Sequence, residues 1–318
     1  YFPPEEPIEG LLSKDYARAR AELIDWERND PDIMPGNPYE FQAGEHPFME
    51  YLENWRSWEE EDDEATTTAA SAARAGATAS GAQTAASGSP ARSGSAVGSV
   101  STPRSGPGSP GFEDVDGDGL DDRYYAGTTS IQAVDAEGWV VSITPSGGWI
   151  PAVIAGETGV GLSQRMQSFV LNAEENPYNV VEPGKRPRAT LTPTIVLRDG
   201  RPWVSVAVQG GDSQDQNTLQ FLLNMIHFDM DVQEAVEAAN INSYQLYGSF
   251  GDHPRDPGRL MVQDETPSWV RAALDDMGYS VFSVDRTSGP LNAVWFDWEH
   301  DSFWGGSSDH GEDYGIAW

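Results

Sequence analysis

The sequence contains no cysteine. Disulfides, thiol catalysis and thiolate metal sites are therefore excluded, and the redox compartment stays open. Lysine is nearly absent, because Lys14 and Lys185 are the only two among 19 basic residues. Against these stand 51 Asp and Glu, for a formal net charge of −32 over 318 residues. Phosphate backbones and anionic membrane surfaces repel such a chain, so nucleic-acid and lipid-surface roles are nearly excluded unless a cation bridges. The acidic excess suits a surface solvated in high salt, and an acidic protein with one acidic tail fits the same numbers. No apolar run approaches membrane-spanning length. The chain starts at Tyr1 with neither an initiator Met nor a basic-then-apolar leader. That start reads as a processed product or fragment, with any targeting signal out of view.

What is present is ample material for a core: 11 Trp, 11 Tyr and 11 Phe within 38% hydrophobic residues. Residues 8 to 27 carry apolar or small side chains at helical spacing, and Ser13 or Asp15 can cap a helix running to about Trp26. From Asn29 to Trp58 the pattern dissolves into Pro, Asn, Gly and aromatics, which reads as irregular chain with short helices, ending in the acidic run Glu59 to Glu64. Residues 65–112 are almost wholly Ala, Ser, Thr, Gly and Pro, and lack the apolar surface that offsets ordering entropy. A disordered insertion or linker is expected there.

The signal becomes dense after Tyr124. Ile131 to Ile143 reads as strand, turn, strand, and Thr194 to Val208 repeats the design around Asp199-Gly200. Leu219, Phe221, Leu222, Met225 and Ile226 fit a buried helix. Asp231 and Glu234 form a capping box before Ala235, Val236 and Ala239. Pro267 to Met277 offers a further helix, then Tyr279 to Val284 and Ala293 to Trp298 read as strands. Hairpins interleaved with paired helices imply an α+β layered fold.

Two constellations carry chemistry. In Asp114-Val-Asp-Gly-Asp-Gly-Leu-Asp-Asp122, alternate carboxylates precede a glycine turn, as calcium loops require. Asp114, Asp116, Asp118 and Asp122 are the candidate ligands of a structural calcium. The twelfth position is Tyr125 where a full EF-hand has Glu, so the loop is nearer the short dockerin-like type, and a solvated acidic turn is the alternative. The second constellation is Gly127-Thr-Thr-Ser130 leading straight into a strand. By itself it means β-propensity. The histidines at 46, 227, 253, 300 and 310 show no metal-ligand spacing, and His227 suits a core or partner-facing place. Neither a G-x-S-x-G elbow, a P-loop nor a dinucleotide fingerprint occurs. The tryptophans between Trp295 and Trp304 alternate as strand residues do and suit core or subunit contact.

Gly127-Thr-Thr-Ser130 is followed in order by Glu182-Pro-Gly-Lys-Arg-Pro187, Thr192-Pro-Thr-Ile-Val-Leu-Arg-Asp-Gly200, Gln209-Gly-Gly211, Leu222-Leu-Asn, Gln233-Glu-Ala-Val-Glu-Ala238 and Gly305-Gly-Ser-Ser-Asp309. With this series the sequence resembles the gamma-glutamyltransferase family, the threonine-nucleophile N-terminal nucleophile hydrolases, over nearly all of 124–318. Residues 7 to 25 look like the stretch close to the end of that family's large subunit.

The resemblance implies a four-layer αββα sandwich made from a large-subunit tail at 1–64, the insertion at 65–112, an acidic segment at 113–127 and a catalytic small subunit at 128–318. It implies self-cleavage of the Gly127–Thr128 bond, with Thr128 as nucleophile and its freed α-amino group as base. Gly210 and Gly211 match the oxyanion-hole glycines, for which a tight turn after the strand is the alternative reading, and Ser146 stands where the family places a second threonine. No catalytic cofactor is expected. Where the family binds the glutamyl ammonium and carboxylate, this chain has Gly148, Arg165, Ser168 and Ala189-Thr190, and Asp212 begins the segment after the glycines. That departure looks like the divergent oxamate-amidohydrolase-like and acylase-like branch. Arg165 suits an anionic acyl group, and a surface arginine is the alternative. The implied partners are the rest of the large subunit and a small amide substrate. A periplasmic or extracellular place follows from the resemblance and the acidic loop, and a cytoplasm of high salt fits the charge. Two other classes remain, a non-catalytic member of the family and a secreted calcium-dependent scaffold module.

Overall fold

The computed structural model describes residues 6–32, 34–55, 128–147, 153–309 and 314–317. All lie in one of the chain's two units, Tyr1–Trp55 with Glu113–Trp318. The expected insertion 65–112, the Asp114 to Asp122 loop, Gly127 and Gly148 fall outside the described residues.

Strand alternation and turn chemistry build the central sheet. The hairpin β1 (Ile131–Val134) and β2 (Val140–Ile143) pairs Ile131 with Ile143 and Val134 with Val140. The next pair, β3 (Thr194–Arg198) and β4 (Arg201–Val208), turns at Asp199 and Gly200, whose φ values of 53° and 77° are those of a tight hairpin turn. In the four-stranded sheet the order is β3-β4-β8-β9, with β8 at Leu291–Asp297 and β9 at Ser302–Ser307.

The interior strand β4 is buried on both faces from Trp203 onward. Val204, Val206 and Val208 pack with Phe221 and Met225 of α4 (Ser213–His227) and with Val232, Ala235 and Val236 of α5 (Val232–Glu237). Each buried Val, Phe or Met side chain contributes about 1.5–3 kcal/mol by leaving water. On the opposite face, Ser205 Oγ donates to Gln132 Oε1 of the hairpin at 2.5 Å. The described residues thus stack as helices, sheet and hairpin, which is an α+β architecture. Ile131, Val141 and Ile143 are exposed on the hairpin's outer side, and no described residue supplies a fourth layer over them.

A second sheet, β5 (Ile241–Ser243), β6 (Arg259–Gln263) and β7 (Ser280–Val284), runs in that order. Its parallel β6–β7 pair is joined through α6 (Ser268–Asp276). Near the start of the chain, α1 (Ile8–Leu11) precedes α2 (Lys14–Ala21), and Ser13 caps α2 by accepting from Asp15 and Tyr16 N–H. Ser13 is thus the cap the sequence offers, and the helix ends at Ala21 rather than reaching Trp26. A one-turn helix at Pro38–Phe41 and α3 (Met49–Glu53) match the short helices expected there. The capping box of Asp231 and Glu234 is formed, yet α5 stops at Glu237 and leaves Ala239 outside. Leu219 and Ile226 are exposed rather than buried, because α4 packs one face only. No helix among the described residues is long and apolar enough to cross a membrane.

Candidate active site

Thr128 stands at the head of the β1/β2 hairpin. Its backbone bridges Ser146 in the antiparallel sense, and Thr129 N–H donates to Pro145 O at 3.3 Å, so the ladder continues past Ile131 and Ile143. The register brings the Thr128 Oγ1 hydroxyl to Ser146 Oγ at 3.0 Å. Two residues on, Ser130 Oγ accepts from Asn292 Nδ2 at 3.1 Å, and Asn292 Oδ1 accepts from Ser307 Oγ at 3.2 Å. Asn292 pairs with Ala207 on β4, so this clamp sets the Thr128 segment beside the end of that strand.

Beyond that end lie the two glycines. Gly210 takes φ 121° and Gly211 φ 52°, conformations that a side chain disfavours. Both are buried, and their carbonyls open α4 by accepting from Ser213 N–H at 3.0 Å and Gln214 N–H at 3.3 Å. Neither glycine N–H meets an acceptor among the described residues. With its amide turned so that the NH2 faces carbonyls, the fully buried Gln214 donates to Thr190 O at 3.2 Å and Val208 O at 3.0 Å. It fastens the glycine turn to the Thr190 segment.

Arg165, Ser168, Thr190 and Asp212 converge into one cluster. The Arg165 side chain is buried, donates from Nη1 to Thr190 Oγ1 at 3.2 Å and lies 5.4 Å from the Phe250 ring centroid. Burial lowers its pKa from the ordinary arginine value, and the Asp212 charge opposes that shift. Asp212 does not cap α4. Its carboxylate accepts from Ser249 N–H at 2.7 Å and from the Ser249 hydroxyl, and Arg188 Nη2 lies 4.0 Å away. Ser168 Oγ sits 2.7 Å from Arg165 O and 2.9 Å from Arg188 O, sharing its one hydrogen. Ala189 is exposed and takes no polar part. Gly147, next to Ser146, accepts from Gln164 N–H at 2.8 Å and Ser163 Oγ at 3.0 Å, which couples the hydroxyl pair to the arginine cluster.

Asn292, Gln214, Arg188 and Ser249 are residues that sequence reasoning passed over. Each acts through a partner far along the chain, and none sits in a motif with a spacing of its own. Among the described residues no group of three or more His, Asp or Glu could hold a metal.

The arrangement offers a hydroxyl beside a second hydroxyl, two turn N–H groups that meet no acceptor among the described residues, and a buried guanidinium. The chain as a whole is similar to known proteins. The family model for gamma-glutamyltranspeptidase covers residues 110–318. A glutathione hydrolase proenzyme of Pseudomonas sp. (strain A14) is 36% identical over 130 residues, 38% of this chain and 23% of that protein. Glutathione hydrolase 2 of Arabidopsis thaliana is 30% identical over 204 residues, 55% of this chain and 35% of that protein. The chain thus spans well under half the length of these curated relatives. Among solved structures, gamma-glutamyltranspeptidase from Pseudomonas nitroreducens complexed with L-DON is 25% identical at TM-score 0.50, covering 60% of this chain and 99% of that chain. LmbA2991HD is 26% identical at TM-score 0.66, covering 99% of this chain and 44% of that chain. With the family model matching most of this chain and the fold shared with these structures, the chain belongs to the gamma-glutamyltranspeptidase family.

Proposed function

We propose that the protein is an amide acyltransferase or hydrolase of this family that acts through Thr128 after cleaving its own Gly127–Thr128 bond. The observation that carries the reading is the Thr128–Ser146 hydroxyl pair at 3.0 Å, placed by the Asn292 clamp beside the strand that leads into Gly210-Gly211. In self-cleavage the Thr128 hydroxyl adds to the Gly127 carbonyl, the amide C–N bond breaks to an ester, and water hydrolyses that ester. The freed α-amine, a group that ordinarily titrates at about 7.7–8.0, then takes the hydroxyl proton as Thr128 attacks a substrate amide. The Gly210 and Gly211 N–H groups receive the tetrahedral oxyanion. The amine leaves with the proton, and water or a second amine releases the acyl group.

The acyl group in this reading is anionic rather than an ordinary γ-glutamyl group. Arg165 offers a desolvated guanidinium, whereas the Asp212 carboxylate of the same cluster is already held by Ser249 and faced by Arg188. The rest of the large subunit covers the exposed apolar side of the β1/β2 hairpin and supplies the fourth layer. The Asp114 to Asp122 loop binds calcium, on the support of its sequence pattern alone.

Mass spectrometry of the complete precursor tests the central claim. The expected result is two chains, one beginning at Thr128, and hydrolysis of amides of small dicarboxylic acids ahead of γ-glutamyl amides. A chain that stays intact under native salt, with no turnover, makes this a non-catalytic member of the family.

A further inference from the structure

Ser249, which holds Asp212, and Phe250, which lies beside Arg165, belong to one short loop. Gly248 N–H donates to Pro254 O at 2.8 Å and closes the loop, and His253 N–H turns back to Phe250 O at 3.1 Å. Three of its side chains reach the Arg165–Asp212 cluster or the segment that carries it. Ser249 donates from its amide and its hydroxyl to the Asp212 carboxylate, and the Phe250 ring centroid is 5.4 Å from Arg165. His253 reaches the carbonyl of Phe169, the residue after Ser168. The loop thus makes one contact to each charge of the cluster, and His253 ties it to the segment that bears Arg165 and Ser168.

The ring makes that tie with both nitrogens. Nδ1 lies 2.9 Å from Gly248 O within the loop, and Nε2 lies 3.0 Å from Phe169 O outside it. Both partners are carbonyl oxygens, which only accept. A neutral imidazole has one N–H and one lone pair in either tautomer, so it satisfies one carbonyl and turns a lone pair on the other. An imidazolium donates to both, and hydrogen bonds to the charged form favour that form. The backbone commits the ring to this place as well, because His253 takes φ 50°, which a residue other than glycine holds where its surroundings fix it. The ring is half-buried and lines a cleft open to solvent, so its proton can exchange. On the same lining stand Asp252, Glu175 and Arg188, with Tyr178, Tyr51 and His46 as the titratable rings. Asp252 and Glu175 are exposed carboxylates that favour a cation, and Arg188 already faces Asp212 at 4.0 Å. Burial keeps the Tyr178 hydroxyl protonated, and His46 Nδ1 accepts from Phe48 N–H at 3.1 Å. Arg255, two residues on, lies 4.5 Å from the Tyr247 ring centroid.

We propose that His253 is a positioning residue for the Arg165–Asp212 cluster. With both ring nitrogens protonated it staples the loop to Phe169, and so keeps Ser249 on Asp212 and Phe250 beside Arg165; loss of one proton to solvent releases one carbonyl and slackens that hold. The inference rests on the proposed reaction for its purpose, since the cluster is the acyl-binding part of that reading, but the staple itself needs no turnover. The first test therefore uses the complete precursor carrying Thr128→Ala, with isotope-labelled histidine and backbone amides, titrated with pH by NMR. The His253 ring nitrogens and the Ser249 amide, which reports the Asp212 contact, are expected to change together with one midpoint. His253→Asn, a residue that tolerates positive φ but is too short to span both carbonyls, should abolish the transition at Ser249. His46→Gln should leave it in place. In the active enzyme, KM for an amide of a small dicarboxylic acid should rise about five-fold through the same transition, the worth of one net hydrogen bond, while kcat follows the Thr128 amine. In His253→Asn that KM should be high at every pH. A Ser249 amide indifferent to the His253 titration, or a pH-dependent KM that survives His253→Asn, would overturn the proposal. A precursor that never cleaves but shows the shared transition leaves the staple standing and sinks only the catalytic reading.

Discussion

Thr128 and Ser146 are antiparallel bridge partners whose hydroxyls are 3.0 Å apart, although 18 residues separate them along the chain. The hairpin register produces this contact, because the ladder from Ile131–Ile143 extends by three residues on each strand. Ser146 is thus placed to orient the Thr128 oxygen and to steady its proton. Ser146→Ala should slow acyl transfer about ten-fold through loss of one hydrogen bond. Ser146→Thr should keep the activity, since it restores the hydroxyl on the same backbone. Single-turnover rates with a chromogenic amide measure both, and an unchanged rate for the alanine variant would make Ser146 a bystander.

The Gly210-Gly211 turn gives a second prediction. At φ 121° an alanine at 210 is strained by about 1–3 kcal/mol, and the displaced turn no longer presents its N–H groups together. Gly210→Ala should lower kcat by about 10²–10³, the worth of an oxyanion donor, with KM little changed. Chemical denaturation separates the stability loss from the rate loss. Should the variant lose stability alone and keep its kcat, the turn is structural and the oxyanion assignment fails.

Much of the fold was legible because its determinants are local. Asp199-Gly200 marks its hairpin, and Asp231 with Glu234 marks a helix start, from a few adjacent residues. The hairpin β1/β2 was equally legible, but its orientation was not. Alternation puts Ile131, Ala133, Val141 and Ile143 on one face and says nothing of which face meets the sheet. The structure turns Gln132 and Ser142 inward toward Ser205 and leaves the aliphatic face outside. Strand β6 escaped notice because Arg259–Gln263 is a short run among Gly and Pro, with the periodicity of neither a helix nor a half-exposed strand. In the candidate site, Thr128, Gly210 and Gly211 could be proposed from ordered motifs and Ser146 from the family resemblance they carry. The hold of Ser249 on the Asp212 carboxylate, 37 residues away, could not, since it depends on distant segments coming together.

Asn292 makes a prediction about positioning. Its side chain spans Ser130 on one side and Ser307 on the other, at 3.1 and 3.2 Å, and so ties the segment after Thr128 to β9 as well as β8. Asn292→Ala should slow precursor cleavage and lower kcat by about ten-fold, the cost of freeing one end of the clamp. KM should hold, because Asn292 does not belong to the Arg165 cluster. A loss of thermal stability alone, with cleavage and kcat retained, would assign the residue to packing.

The turn between β8 and β9 gives a pH prediction. His300 Nδ1 lies 2.7 Å from Asp297 Oδ2, and that bond together with the Asp297 charge raises the His300 pKa above 6.5. For Asp297, burial works upward, but the side-chain and backbone hydrogen bonds from His300 outweigh it and hold the carboxyl below 3.8. The raised histidine contributes stability that is complete below 6.5 and is lost as the pH climbs through its folded value. The lowered carboxyl contributes stability present above 3.8 and lost as the pH falls through its folded value. The pair therefore stabilises most between 3.8 and 6.5. The effect is small, because the histidine is exposed and its charge is screened. Melting temperatures of the wild type and His300→Gln, compared across that window and above it, should differ inside the window and converge on the alkaline side. A difference that stays constant as the pH rises well past 6.5 would show that the histidine acts there by shape and not by charge.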